Sequence, residues 1–412
     1  MPELDKTALI TSIQPTGGGV PRMVRFIIAC LLKRGYKVRL AYYEPYSVSP
    51  WLSIPLYRCV LLPFRAKKRR MPTVNVTEYE GITATGIGCW APELEFTNYW
   101  QSSRWKAEIE QCDFHLCVSG SNLAALPFLQ MKLPFLAWVA TPWLEDREHR
   151  VSQFPWYRRC LDAVIVQPMC RYLEKRIHQT GNTIALSDYT RRSINQIVGP
   201  VVNKVMFPPV DTEKFSPVSA KADLASSATG ATKIRLGFVG RFEDPRKNIG
   251  LLLDAFALCR QDNSELELVL IGDTPSEQTQ QKLQQLAIKD HVSIVSYVSD
   301  DTYLVEQLQS LSVFIIPSHQ EGLCIAALEA MSCGVPVIST HCGGPQDYVK
   351  HGENGLLVAD NAGALKEAVL QIIDDTAVLS EYSTQARKTA VEQFSAAVAE
   401  RRFWQYFTQV YP

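Results

Sequence analysis

The chain has 412 residues, 46% of them hydrophobic and 20% charged, with 42 basic and 42 acidic side chains. Balanced charge argues against a general nucleic-acid binder, which would be basic, and one core rarely outgrows about 250–300 residues, so two domains are expected. The eleven cysteines form no CxxC repeat and no Cys/His cluster at ligand spacing, so no metal site is expected, and Cys324, Cys333 and Cys342 read as buried free thiols of a reducing compartment. Residues 7–13 read as a buried strand running into Gly17-Gly18-Gly19, and a helix follows from about Pro21 with Val24, Ile27, Ile28, Leu31 and Leu32 on one stripe. Gly35 is placed to end that helix, and residues 37–42 alternate as a second strand. The βαβ unit implies an α/β fold with a parallel sheet. The early apolar run 23–32 is interrupted by Arg25 and is too short to span a bilayer, so a cytoplasmic protein is expected.

Further along, residues 114–118, 135–139, 163–166 and 182–186 read as buried strands. Residues 216–232 are rich in Ser and Ala without apolar period, and read as a linker. After it the alternation is clean. Strands are expected over 234–240, 266–272, 292–297, 313–317 and 335–339. Helices are expected over 249–259, 277–288 and 323–333, and a last, aromatic-rich helix over 390–411.

Three constellations carry chemistry. Glu321 stands after a strand and before an apolar helix, and Glu329 lies within that helix. A buried carboxylate costs several kcal/mol unless partnered, and a ligand's hydroxyls are one kind of partner; a core Arg or Lys is another. A helix start beside Glu321 suits an anion. Arg241 and Lys247 follow a strand end, where α/β domains bind ligands, and both side chains suit phosphates. The glycine loops 17–19 and 343–344 each join a strand to a helix and allow close backbone approach to a ligand.

The stretch from Pro317 through Glu321-Gly322-Leu323-Cys324 and Glu329 to Ile338 resembles the signature of group 1 (family 4) retaining glycosyltransferases. The likeness extends to Gly343-Gly344-Pro345-Gln346-Asp347, to His351-Gly352-Glu353-Asn354-Gly355 and to Val239-Gly240-Arg241 with Lys247-Asn248. It implies the GT-B fold: two Rossmann-like domains with parallel sheets facing each other across a cleft, and a C-terminal helix crossing back to the first. The expected division is an acceptor-side domain over 1–212, a linker over 213–232, a donor-binding domain over 233–390 and the returning helix over 391–412.

The resemblance also implies the reaction. A hexose-type sugar would pass from a nucleotide-diphosphate sugar, a co-substrate rather than a cofactor, to a saccharide or lipid-linked saccharide acceptor. Arg241, Lys247 and Glu321 would be catalytic, the first two on the diphosphate and Glu321 on the transferred sugar. Glu329 would hold the ribose hydroxyls. Gly240, Gly322, Leu323 and Cys324 would line the donor, with Gly18 and Gly19 near its phosphates. The chain departs from the family where a His-Asp pair is usual, having Ala140-Thr141-Pro142-Trp143, and in reading Gly322-Leu323-Cys324 for the usual Gly-Phe-Gly. The charged run 145–149 either substitutes for the His or is an exposed helix start. A catalytically silent nucleotide-sugar binder, or a phosphorylase or epimerase on the same fold, remain alternatives. Arg65, Lys67, Lys68, Arg69 and Arg70 form a basic run that is either a solvated loop or a contact with the inner face of a membrane.

Overall fold

The computed structural model describes residues 6–14, 19–59, 71–152, 154–218, 234–296 and 301–412. The chain forms two compact units, Met1–Pro208 with Glu400–Pro412, and Pro209–Ala399. Among the described residues no helix is long and apolar enough to cross a membrane.

The first unit is built on eight strands: β1 (Thr7–Ser12), β2 (Lys37–Tyr43), β3 (Val74–Tyr79), β4 (Ile82–Ile87), β5 (Phe114–Ser119), β6 (Leu136–Val139), β7 (Thr183–Ala185) and β8 (Lys204–Val205). Their order is β3-β4-β2-β1-β5-β6-β7-β8. All pairs are parallel except β3 with β4. The central strands β1, β5 and β6 are buried almost throughout, as their continuous apolar runs require in a sheet covered on both faces. The helix Gly19–Lys33 buries Met23, Val24, Ile27, Ile28 and Leu31 on one stripe. β3 and β4 form a hairpin that the alternation did not announce. Its two-residue turn holds Glu80 at φ 50° and Gly81 at φ 75°, the doubly left-handed geometry that matches strand twist.

Residues 163–166 correct the expectation of a strand. Asp162–Val166 is a π-helical turn joining the helices Trp156–Leu161 and Gln167–His178. A four-residue apolar run cannot by periodicity be told from a buried helical segment, and here the turn buries Asp162 and Val166 on one side only.

The second unit carries β9 (Arg235–Gly240), β10 (Glu267–Gly272), β11 (Val292–Ser296), β12 (Val313–Ile316), β13 (Val337–Thr340) and β14 (Gly355–Val358). They are all parallel, in the order β11-β10-β9-β12-β13-β14. The helices Ile249–Asp262 and Ala362–Ile373 pack together on this sheet, and Ile325–Ser332 packs on Thr376–Phe394.

The change of unit falls at residues 208/209, ahead of the expected linker, because residues 209–218 are already tied to the second unit. Val210 N–H donates to the Phe394 carbonyl at 2.8 Å. Phe215 is buried, and its carbonyl accepts from Ser332 Oγ at 2.5 Å and Arg387 Nη1 at 2.9 Å. Of the expected linker, residues 219–232 lie outside the described residues. The last helix is also two: Thr376–Phe394 stops at Ser395, whose extended ψ of 154° breaks the ladder, and Ala396–Val410 carries the chain back to the first unit. There Trp404 and Phe407 meet Tyr36, and Phe407 and Tyr411 meet Phe114.

Candidate functional site

In the second sheet the strand order reverses between β9 and β12. The chain runs outward from β9 through β10 to β11, then returns to place β12 on the other flank of β9. Ligands of open α/β sheets bind outside the carboxyl ends of the strands at such a crossing. The loops leaving β9, β12 and β13 there are residues 241–248, 317–324 and 341–347.

Lys247 and Glu321 come from the two strands that flank the crossing. Lys247 Nζ lies 2.5 Å from Glu321 Oε1, and Ser318 Oγ donates to the same oxygen at 2.9 Å. Glu321 is 8% exposed. Its backbone is clamped: its N–H donates to the Cys342 carbonyl at 2.7 Å, and its carbonyl accepts from Gly344 N–H at 2.8 Å. The clamp needs glycine at 344, where a Cβ would stand 2.2 Å from the Gly322 carbonyl oxygen. Thr340 Oγ1 donates to the Ser318 carbonyl at 2.5 Å, and the Tyr348 hydroxyl donates to the Leu323 carbonyl at 2.8 Å, which fixes the rest of the loop. Burial alone would lower the Lys247 ammonium, but the Glu321 carboxylate, with Cys324 and Asp244, raises it above its usual value.

The loop after β9 is set by Asp244. Its side chain accepts from Arg246 N–H, from the Arg246 guanidinium, and from Arg241 Nη2 at 2.7 Å. Burial would raise the Asp244 carboxyl, yet the two arginines bring it down to about 2. Pro245–Lys247 forms a 3-10 turn capped by Asp244, and Asn248 follows at φ 50° with its amide on Asp360 at 3.2 Å. Asp360 also holds His319 Nδ1 at 2.6 Å, and His319 N–H donates to the Arg246 carbonyl at 2.8 Å. The loops 241–248 and 317–324 are therefore stitched to each other beside Lys247 and Glu321.

The other residues singled out by sequence fall as follows. Gly240 ends β9. Arg241 lies on the same loop but is exposed and turned onto Asp244, unlike Lys247. Gly322 and Leu323 follow Glu321, with Leu323 buried. Cys324 is the N-cap of the helix Ile325–Ser332, at φ 65° and without a side-chain cap bond. Burial, then the Glu321 carboxylate, push its thiol well up, against the opposing pull of Lys247. Glu329 is 4% exposed inside that helix. Gly19 opens the helix Gly19–Lys33 in the first unit. Gly18, and Arg65, Lys67, Lys68, Arg69 and Arg70, lie outside the described residues. Ser318, Asp244, His319 and Asp360 were not anticipated. Only Asp244-Pro245, a capping residue before a proline, carried a signal in the sequence.

In the first unit, Ala140 stands where the family usually has His. Its N–H donates to the Ser119 and Gly120 carbonyls, and its carbonyl accepts from Thr190 Oγ1 at 3.0 Å. Within the run 145–149, Arg147 is neither at an exposed helix start nor available as a substitute. It is 3% exposed, pairs with Asp162 at 2.5 Å and Glu95 at 3.1 Å, and lies over the Trp143 ring. The acids on neighbouring elements required a buried cation, and Arg147 is the one placed among them.

Residues 220–389 match the family described as Glycosyl transferases group 1. Among curated proteins the chain is 29% identical over 220 residues to a GDP-mannose-dependent alpha-(1-6)-phosphatidylinositol monomannoside mannosyltransferase of Mycobacterium tuberculosis. That match takes in 50% of this chain and 57% of the relative, so it spans little more than half of that enzyme. Among solved structures the chain is similar to sucrose-phosphate synthase from Thermosynechococcus elongatus, with a TM-score of 0.71 at 20% identity over 98% of this chain and 99% of that one. It is also similar to HepE of Anabaena in complex with UDP, with a TM-score of 0.71 at 15% identity over 98% and 100%.

Proposed function

We propose that this chain, whose residues 220–389 match the family described as Glycosyl transferases group 1 and whose fold is GT-B, moves a hexose-type sugar from a nucleotide-diphosphate sugar to a hydroxyl of a saccharide or lipid-linked saccharide, with retention of configuration. One observation carries the reading: Lys247 and Glu321 meet at 2.5 Å where the strand order of the second sheet reverses. A cation and an acid so placed suit the two halves of such a donor. Lys247 turns to the diphosphate, and Glu321, still held by Ser318, takes the sugar hydroxyls. Arg241 reaches the same diphosphate by leaving Asp244. Glu329 is the acid proposed for the ribose.

In this reading the bond from the anomeric carbon to the phosphate oxygen breaks and its electron pair stays on that oxygen. Lys247 and Arg241 stabilise the charge that grows there, as preorganised donors do. The acceptor oxygen bonds to the anomeric carbon on the same face, and its proton passes to the departing phosphate oxygen. Removing one such donor commonly costs about 2.7–4 kcal/mol in the barrier. Lys247→Ala and Arg241→Ala, assayed with GDP-mannose, UDP-glucose and related donors, should each lose about 100- to 1,000-fold in kcat. Wild-type turnover should survive a chelator, since side chains carry the charge. Unchanged turnover in both variants removes these cations from the mechanism.

The Ala140 departure favours one second reading, a nucleotide-sugar binder without turnover. Slow hydrolysis of the donor in the absence of acceptor separates the two, because a silent binder has none.

A further inference from the structure

The helical stretch Trp156–His178 of the first unit turns one face to its core and leaves the other bare. Asp162, Val166, Cys170, Leu173 and Ile177 are buried on the inner stripe. The outer face holds Trp156, 72% exposed, Tyr157 at 61%, Val164 at 74%, Ile165 at 44%, Met169 at 37% and Tyr172 at 54%. Single exposed apolar residues are ordinary, but a cluster on one element marks an interaction surface. These recur at helical spacing: Tyr157, Ile165, Met169 and Tyr172 are separated by eight, four and three residues. The π-turn Asp162–Val166 contributes Val164 and Ile165 to this face.

Charge is sorted across the same stretch. Its two acids, Asp162 and Glu174, are 2% and 1% exposed. Asp162 is taken up by Arg147, and Glu174 Oε1 accepts from Trp143 N–H at 2.9 Å. Its cations point outward: Arg159, Arg171, Lys175 and Arg176 are exposed and Arg158 is half-buried. Arg158 lies over the Phe154 ring at 4.5 Å, and Arg176 Nη1 donates to the Tyr172 hydroxyl at 3.2 Å, so cations and rings share one surface. The outer face therefore presents five cations and no acid.

We propose that this face docks the protein on an anionic phospholipid surface. Tryptophan and tyrosine suit the boundary between headgroup and acyl chain, with apolar ring and polar edge. Val164, Ile165 and Met169 enter the apolar side, and the cations meet lipid phosphates. The charge sorting selects this partner: a neutral apolar groove would accept the rings but leave five cations unmatched. Docking involves no nucleotide, so it stands or falls separately from the transfer reaction.

Flotation of the full chain with phosphatidylcholine vesicles, and with vesicles containing phosphatidylglycerol, tests it. The wild type should float only with the anionic vesicles and lose binding as salt is raised. Arg171→Gln with Lys175→Gln should weaken partitioning about 25-fold, about fivefold per cation, which is about 1 kcal/mol each. Val164→Ser with Ile165→Ser should abolish flotation while the thermal transition stays in place, which separates docking from folding. Acyl-brominated lipid should quench wild-type emission more than that of Trp156→Phe. Wild type that ignores anionic vesicles, or variants that float like it, would overturn the proposal. So would loss of flotation only when residues 65–70 are charge-reversed. Self-association of the wild type that these variants abolish, without vesicle binding, would give the face to a second copy instead.

Discussion

Removing Lys247 alone would leave the Glu321 carboxylate buried with, among the described side chains, only Ser318 against it, and the loss of one partner of a buried pair is what costs most. Lys247→Met should therefore destabilise the second unit by about 3 kcal/mol, and the double variant Lys247→Met, Glu321→Leu should regain most of that while remaining inactive. Urea titrations of the three proteins check this; a double variant no more stable than the single one denies the pairing its energetic role. Cys324 makes a second point. It holds φ 65°, a left-handed backbone that costs a non-glycine residue about 1–2 kcal/mol. The family's usual glycine at this place has no such cost. Cys324→Gly should raise stability by about 1 kcal/mol, whereas Cys324→Ala, which keeps the Cβ, should not. Equal stability of the two would mean that the backbone is not strained there. Such residues were legible because Glu321, Lys247 and the glycines follow strand ends in a fixed order along the chain. His319 and Asp360 were not, because a hydrogen bond across 41 residues leaves no periodicity to read.

At the scale of elements, the three loops at the strand crossing are packed backbone to backbone. Gly344→Ala would drive its Cβ into the Gly322 carbonyl, 2.2 Å away, and nothing flexible stands there to yield. The 317–324 loop should shift, with a loss of about 2 kcal/mol in stability and a weaker affinity for nucleotide, read by calorimetry with UDP and GDP. Unaltered affinity would show that the loop tolerates the displacement. The parallel strands of the second unit were readable from continuous β-branched runs. The hairpin of β3 and β4 was not, since its turn is Glu80-Gly81 rather than a strong turn pair and its outward positions include Asn75 and Glu78. The turn Asp162–Val166 was misread for a related reason. Four apolar residues in a row satisfy a buried strand and a helix alike, and only Asp162 on its inner face, matched by Arg147, decides for the helix.

At the scale of the molecule, each unit has its own core, and the chain contributes to the first one twice. Phe407 is 3% exposed and touches Tyr36, Phe114 and Trp404. Phe407→Ala should cost the first unit about 3–5 kcal/mol. Hydrogen exchange should quicken in β1 and β5 while β9 and β12 keep their protection; equal quickening in both sheets would make the two units one cooperative block. Two domains were expected from length and a returning helix from the family resemblance, but the junctions were not legible. Phe215 looks like linker in a stretch leading into Ser and Ala, and only its burial assigns it to the second unit.

The returning segment sets an order of events at the ribosome. The described strands of the first sheet have all been made by Val205, yet Trp404 and Phe407, which cover Tyr36 and Phe114, are added only after the whole of the second unit. Residues 209–399 must be translated in between, which takes on the order of ten to forty seconds at typical elongation rates. Throughout that interval the nascent first unit keeps an aromatic patch uncovered and open to chaperones, and the second unit, though begun later, is the first whose parts are all present.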